Sequence, residues 1–335
     1  MPGACPHFVF ACFKRVERWA DRLTGAAGPF FVAIATLLFI IGTLCFLDVI
    51  LPSIAWPWLS TLPCLLIILN LFAHYYFACM VSPGFASDPP PRTGNGFIWA
   101  KKRQTPHRPL TNGVRWSANL NITPASTSRC AKCGGSKPER THHCRVCNRC
   151  VLKYDHHCPV GINQCVGLHN ERHFALFMAY VVIATFCFTA LGWPHLFVAL
   201  GFNFNDEWEH RMSPVVFSII YFLCLVMCLA VGTMFTWHLW GVAVGETAVE
   251  SQDHEHYQQV AQSRGEIFQN SYDLGKFKNL QLFFNLGPDG YPIYTLLFPF
   301  RILPYTDGRS WARKPGLERH HGIYVGEELT DEEDN

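Results

Sequence analysis

Seven cysteines and four histidines fall between residues 130 and 165 of a 335-residue chain. They read Cys130-Ala-Lys-Cys133, then His142-His143-Cys144, Cys147 and Cys150, then Asp155-His156-His157-Cys158, and finally Cys165. The Cys-x2-Cys spacings, which overlap in Cys144-x2-Cys147-x2-Cys150, suit metal binding better than disulfides. Zinc takes four thiolate or imidazole ligands in a tetrahedron. These residues can fill two such sites and leave one cysteine and two histidines over. A thiol that ligates nothing and has an imidazole beside it has the surroundings of an activated nucleophile, because the imidazole can take its proton. Spacing alone does not say which cysteine is spare. A purely structural metal module is the bland reading of the same residues.

The elements around this cluster are membrane spans. Half of the residues are hydrophobic and 16% are charged, against roughly 25% charged in an average soluble domain. Four stretches reach the roughly 20 apolar residues that cross a bilayer: Phe30–Leu51, Trp58–Val81, Phe174–Leu200 and Pro214–Trp240. Gly192, Trp193 and Pro194 are expected to interrupt the third. Asn70 and His74, one helical turn apart in the second, read as inter-helix hydrogen-bonding groups, with a cavity lining as the sharper alternative. The segment 82–172 carries fourteen Lys and Arg and the tail from 241 carries eight, whereas 52–57 has none and 201–213 has only Arg211. The positive-inside rule then puts both termini and the central loop in the cytosol, where thiols stay reduced. The net charge of +2 offers nothing to nucleic acid.

The N-terminal region, with Lys14, Arg15, Arg18 and Arg22, reads as uncleaved, since the following apolar run is too long for a signal peptide. Residues 83–128 read as an irregular linker, with Lys101, Lys102 and Arg103 as a solvated charge run. Residues 246–264 read as a polar helix, 277–305 as a segment resting on the membrane surface, and Glu327–Asn335 as a disordered acidic end. The expected architecture is an α-helical polytopic membrane protein with four transmembrane helices and a small two-zinc cysteine-rich domain between helices 2 and 3. Its parts are a cytosolic N-terminus (1–29), helices 1 and 2 (30–81), a cytosolic linker (82–129), the zinc domain (130–172), helices 3 and 4 (173–240) and a cytosolic C-terminal region (241–335).

The runs Lys137-Pro138-x-Arg140-x-His142-His143-Cys144 and Asp155-His156-His157-Cys158-Pro159 resemble the Asp-His-His-Cys (DHHC) protein acyltransferases, the palmitoyltransferase family. The resemblance covers Cys130 to Gly167 and agrees with the four-span layout. Asn270-Ser-Tyr272 is similar to the family's C-terminal Asn-x-Tyr element. Trp237-His238 through Glu250 looks most like the endoplasmic-reticulum subgroup called Abl-philin. The resemblance implies one zinc on Cys130, Cys133, His143 and Cys150, and another on Cys144, Cys147, His157 and Cys165. It implies Cys158 as nucleophile, His156 as its base and Asp155 as the group that orients His156. In an extended segment residues 156 and 158 point to one side, which allows their contact.

The implied activity is transfer of a long-chain acyl group from palmitoyl-coenzyme A, or a similar acyl-coenzyme A, to protein cysteines through a thioester on Cys158. The implied partners are the bilayer and proteins with membrane-proximal cytosolic cysteines, in the endoplasmic reticulum or Golgi. Cys5 and Cys12 are further candidates for acylation. The pattern departs from the family in three places. The stretch Cys158-Pro-Val-Gly-Ile-Asn-Gln-Cys165 has six residues between its cysteines where the family has five, and Val160 stands where the family has Trp. A bulge at Gly161 is the expected way to absorb the extra residue. Ser82-Pro83-Gly84 replaces Asp-Pro-Gly and reads as a helix-ending turn. Thr247-Ala248-Val249-Glu250 replaces Thr-Thr-x-Glu, with Thr247 and Glu250 expected to cap or brace the C-terminal segment. A catalytically silent, zinc-stabilised membrane adaptor is the competing reading.

Overall fold

This computed structural model describes residues 4–89, 94, 96–101, 120–202, 207–287, 290–324 and 327, with side chains from residue 25 onward. Expectations for Lys14, Arg15, Arg18, Arg22, Cys5, Cys12, Lys102, Arg103 and the acidic residues 328–335 lie outside the described side chains.

Four helical stretches are long and apolar enough to cross a membrane: Gly25–Ser53, Pro57–Met80, Glu171–Ala199 and Pro214–Val244. The protein is therefore an integral membrane protein. The first span belongs to α1 (Ala4–Cys45), which continues through a π-helical turn (Phe46–Ile50) and a 3₁₀ turn (Leu51–Ser53). Next is α2 (Pro57–Met80). Trp56 turns the chain with φ of 61°, and Pro57 starts the helix where its missing N–H is no loss.

The expected break in the third span is absent. Helix α3 (Glu171–Ala199) runs unbroken through Gly192, Trp193 and Pro194. Proline removes a single helical hydrogen bond, and packing compensates for it. At Gly192 a β-carbon would stand 2.9 Å from Ile50 and 3.4 Å from Phe217, so the missing side chain lets α3 lie tightly against its neighbours. Helix α4 (Pro214–Val244) runs four residues past the predicted end. It stops in a Schellman turn at Gly245 (φ 79°), where the Glu246 N–H donates to Gly241 C=O at 2.8 Å.

Between α2 and α3 the chain makes short strands: β1 (Asn121–Pro124), β2 (Thr127–Arg129), β3 (Ser136–Pro138), β4 (His142–Cys144), β5 (Arg149–Val151), β6 (His156–Cys158) and β7 (Gln164–Val166). Three antiparallel hairpins result, β2–β3, β4–β5 and β6–β7. After α4 come α5 (Ala248–Ser263), α6 (Lys276–Phe283), a 3₁₀ turn (Ile293–Leu296) and β8 (Ser310–Arg313). Strand β8 pairs with β1, Ile122 opposite Ala312, and so fastens the tail to the cysteine-rich segment. One apolar core spans both parts, with Cys130, Cys150, Leu152, Tyr272, Tyr305 and the fully buried Trp311.

His74 bonds between helices, as the simpler reading has it, whereas Asn70 reaches the C-terminal segment at the end of its 3₁₀ turn. Asn70 Nδ2 donates to Leu297 C=O at 2.7 Å, and His74 Nδ1 lies 3.2 Å from His173 Nδ1. The 3₁₀ turn also rests on α3, with Tyr180 Oη donating to Leu296 C=O at 2.9 Å. Its residues Ile293, Leu297 and Phe298 are exposed apolar groups beside the spans, as a membrane-surface segment requires.

Candidate active site and metal centres

Hairpin β4–β5 sets His143 opposite Cys150, and β6–β7 sets His157 opposite Cys165. Two quartets form, Cys130, Cys133, His143 and Cys150, and Cys144, Cys147, His157 and Cys165, each with its ligand atoms within 4.8 Å of one another. Among the described residues these are the only such groups. Adjacent residues His143 and Cys144 belong to different quartets, so the two interleave.

The residues fit a metal ion. Cys133 Sγ and Cys150 Sγ are 3.5 Å apart, as are Cys147 Sγ and Cys165 Sγ. His157 Nδ1 is 3.4–3.7 Å from all three sulfurs of its set. Tetrahedral ligands at zinc–sulfur bonds of about 2.3 Å have edges near ~3.7 Å. The Cys147 N–H also donates to Cys144 Sγ at 3.4 Å, the kind of outer contact that orients a ligand.

Cys158, His156 and Asp155 belong to neither quartet. Cys158 packs against a cluster of Tyr75, Ile162, Phe174 and Met178. His156 Nδ1 donates to Asp155 Oδ2 at 2.7 Å. Phe174 supports the ring edge-on at 5.3 Å between centroids. Burial alone would lower the His156 pKa, but its bonds to Asp155 and to Cys158 push it up to about 9. Burial alone would raise the Asp155 carboxyl, but the His156 bond, His238 and the Ala248 N–H hold it at about 2. Burial opposes ionisation of Cys158 too, and His156 with the N–H groups of Gly161 and Ile162 outweighs it, so the thiol is lowered. The arrangement favours an imidazolium–thiolate pair.

The Asp155 brace was not visible in the sequence. Asp155 Oδ1 accepts the Ala248 N–H at 2.8 Å, and His238 Nδ1 from α4 stands 3.8 Å from Oδ2. Thr247 and Glu250 form a capping box at the start of α5, which accords with their expected capping role. Glu250 also takes Arg140 in a two-pronged ion pair at 2.6 Å for each bond, while Arg140 donates to Gly245 C=O and lies over the Tyr272 ring. The Thr-x-x-Glu spacing signalled the cap, but a backbone donor such as Ala248 N–H has no side-chain signature. Asn270 Nδ2 donates to Val244 C=O, closing the end of α4.

The extra residue before Cys165 leaves the second quartet together. It sits in the turn 159–163, and the left-handed residue there is Asn163 (φ 54°) rather than the expected Gly161. Glycine at 161 answers a need for space instead: a β-carbon there would stand 2.8 Å from Cys158 Sγ. Deeper among the four spans lies an apolar cavity of about 220 Å³. It is lined by residues such as Phe46, Leu71, Val181 and Leu223, and its Ala35 and Phe39 also pack in the cluster that holds Cys158.

Residues 124–255 match the DHHC palmitoyltransferase family model. The chain carries that family's domain. It is similar to palmitoyltransferase ZDHHC16 of Mus musculus, with 29% identity over 95% of this chain and 83% of the relative. The Homo sapiens protein of that name is 28% identical over 95% and 84%. Probable protein S-acyltransferase 16 of Arabidopsis thaliana is 36% identical over 48% of this chain and 54% of its own length. The near full-length similarity places the chain with the ZDHHC16 subgroup, as the residues from Trp237 to Glu250 suggest.

Proposed function

We propose that this protein S-palmitoyltransferase carries its acyl group as a thioester on Cys158. The Asp155–His156 hydrogen bond two residues before Cys158, whose apolar cluster adjoins a cavity between the spans, carries the proposal. Acyl-coenzyme A presents its thioester carbonyl at the membrane edge. The Cys158 thiolate attacks that carbon, the carbon–sulfur bond to coenzyme A breaks, and His156 returns a proton to the leaving sulfur. Asp155 holds the imidazole in the tautomer that does this. A substrate cysteine then attacks the new thioester with His156 as base, and the Cys158 thiolate is regenerated. One thioester replaces another at each step, so no further energy source is needed.

The fatty chain lies in the cavity. Each buried methylene contributes about 0.8 kcal/mol, so fourteen of them amount to about 11 kcal/mol as an upper limit. Two zinc ions, held by the two quartets, supply structure, locking a loop-rich segment with little core of its own. The excess of Lys and Arg in 82–172 and in the tail supports a site on the cytosolic face, and the ZDHHC16 likeness favours the endoplasmic reticulum. The substrates are proteins with cysteines close to that face.

The test is incubation of the purified protein with labelled palmitoyl-coenzyme A. Label that hydroxylamine releases, present on wild type and lost in Cys158→Ser at unchanged metal content, supports the proposal. No label on folded, metal-loaded wild type rejects it in favour of a silent adaptor.

A further inference from the structure

The sequence lays residues 277–305 on the membrane surface, but the hydrogen bonds take one part of them further in. Three consecutive carbonyls after α6 each receive a side chain from a span. Arg172 Nη2 of α3 donates to Thr295 C=O at 2.7 Å, Tyr180 Oη of α3 to Leu296 C=O at 2.9 Å, and Asn70 Nδ2 of α2 to Leu297 C=O at 2.7 Å. Asn70 stands ten residues before the end of α2 at Met80, which is about 15 Å at a rise of about 1.5 Å per residue. Helix α2 has 24 residues, a length of about 36 Å against a hydrocarbon layer of about 30 Å. Even with the whole surplus of about 6 Å at the Met80 end, Asn70 lies about 9 Å inside that layer. Helix α3, running the other way, gives the same answer. Tyr180 stands nine residues after Glu171, or about 14 Å, and its ring stacks on that of His74 in α2. Tyr75, whose hydroxyl meets the turn after Cys158 at Gly161 C=O, is about 7 Å nearer the surface than Asn70.

We infer that residues 292–299 form a re-entrant loop whose tip, at Leu297 and Phe298, is buried among the lipid chains of the leaflet beside the cysteine-rich segment. Non-helical backbone can enter hydrocarbon only where the protein itself satisfies its polar groups. The loop meets that condition. Pro292 and Pro299, at its two ends, have no N–H to satisfy. The Thr295 N–H and hydroxyl both donate to Pro292 C=O, and the Leu297 and Phe298 N–H groups donate to Tyr294 C=O. Phe300 N–H closes on Phe298 C=O at 2.8 Å. The three carbonyls between Tyr294 and Phe298 are those held by Arg172, Tyr180 and Asn70. The side chains divide in the same way. Thr295 is fully buried, whereas Ile293, Leu297 and Phe298 are turned outward, and an outward apolar face at that depth has lipid chains around it. The chain emerges at Arg301, whose backbone pairs with Trp99 and whose guanidinium lies over the Trp99 ring at 4.6 Å, an aromatic and a basic residue together as at a membrane edge. The loop thereby pins the C-terminal region to the bilayer just before β8, which carries Trp311 into the core shared with Cys130 and Cys150.

The test places a fluorescent amino acid at Phe298 of the full chain, reconstituted in phosphatidylcholine vesicles. Nitroxide at carbon twelve of the lipid chains is expected to quench it about 2-fold more strongly than nitroxide at carbon five, because a point about 9 Å or more inside a half-layer of about 15 Å is nearer the deeper label. The same probe at Leu297 repeats the measurement independently, and at Tyr324, an exposed position in the tail, it is expected to be quenched from neither depth. Tyr180→Phe takes the donor from Leu296 C=O and is expected to move the Phe298 probe toward the carbon-five label, with the metal content unchanged. Stronger quenching from carbon five at both tip positions describes a segment lying on the surface and overturns the inference. Quenching from neither depth, as when a second protein surface covers the tip, overturns it as well.

Discussion

Replacing Glu250 by glutamine changes the charge of one side chain and almost nothing of its shape. Glutamine still serves at the third helical position of a capping box, so the start of α5 keeps its cap. What is lost is the partner of Arg140, whose side chain is 5% exposed in the wild type while that of Glu250 is 9% exposed. Burial alone would raise the Glu250 carboxyl, but Arg140 holds it at about 2. Breaking a buried pair on one side costs about 3–5 kcal/mol, and the amide oxygen of glutamine, which still accepts from Arg140, argues for the lower end. At about 2–4 °C per kcal/mol, a loss of about 3 kcal/mol lowers Tm by about 6–12 °C. The same change loosens the Ala248 N–H from Asp155. That bond to a charged acceptor is worth about 1.5–3 kcal/mol, so Cys158 acylation is expected to slow by about 10–100-fold. Thermal unfolding, hydrogen exchange over 247–263 and acylation kinetics measure the three effects. Arg140→Met with Glu250→Leu removes both charges and is expected to recover most of the Tm. A Glu250→Gln protein whose Tm falls by less than about 2 °C, with unchanged acylation, would refute the claim that this pair braces the active site.

Acid should loosen the tail through His320. Burial first, and then His254, lower its pKa to about 3, and its neutral Nδ1 accepts the Ser271 N–H at 3.2 Å. Because the folded value is depressed, there is no effect above the unfolded value of about 6.5. Stability is lost as pH falls below it, by about 2 kcal/mol at pH 5. Hydrogen exchange of 267–272 at pH 7 and pH 5, in wild type and His320→Gln, checks this, and an equal acid response in both sinks it. Metal analysis is expected to find two zinc ions per chain, and a strong chelator to unfold 130–165 and abolish acylation, since apparent binding energies of about 10–16 kcal/mol are folding energy in such sites. Asn70→Leu removes the bond to Leu297 and is expected to raise hydrogen exchange in 293–298 by about 3-fold or more, the equivalent of about 0.6 kcal/mol.

The four spans were legible because hydropathy is additive along a helix and needs no knowledge of neighbours. The ligand quartets were legible because metal geometry restricts cysteine and histidine spacing, although the assignment of individual residues came from the family likeness. Pro194 misled because a local helix breaker was weighed without the neighbours of α3, such as Ile50 and Phe217, which close around Gly192. The β1–β8 pairing was beyond reach, since two four-residue strands about 190 positions apart carry no signal of each other. The same holds at the candidate active site. His156 and Cys158 announce themselves by type and alternation, whereas the Ala248 amide and the His238 ring are brought in by tertiary structure alone. Gly161 shows a subtler failure: its residue type suggested an unusual backbone angle, and its actual constraint is the sulfur beside it.

The hydrogen bond from Ala248 to Asp155 also sets an order of events during synthesis. Ribosomes add about 5–20 residues per second, so the amide at 248 is made about 5–20 s after the carboxylate at 155. Two spans must be inserted in that interval. Until then Cys158 exists as an ordinary cysteine on an unfinished chain, its histidine only half held. Strand β8 comes later still. On the proposed mechanism, the amide that braces Asp155 is therefore in place only after both of those spans have been made.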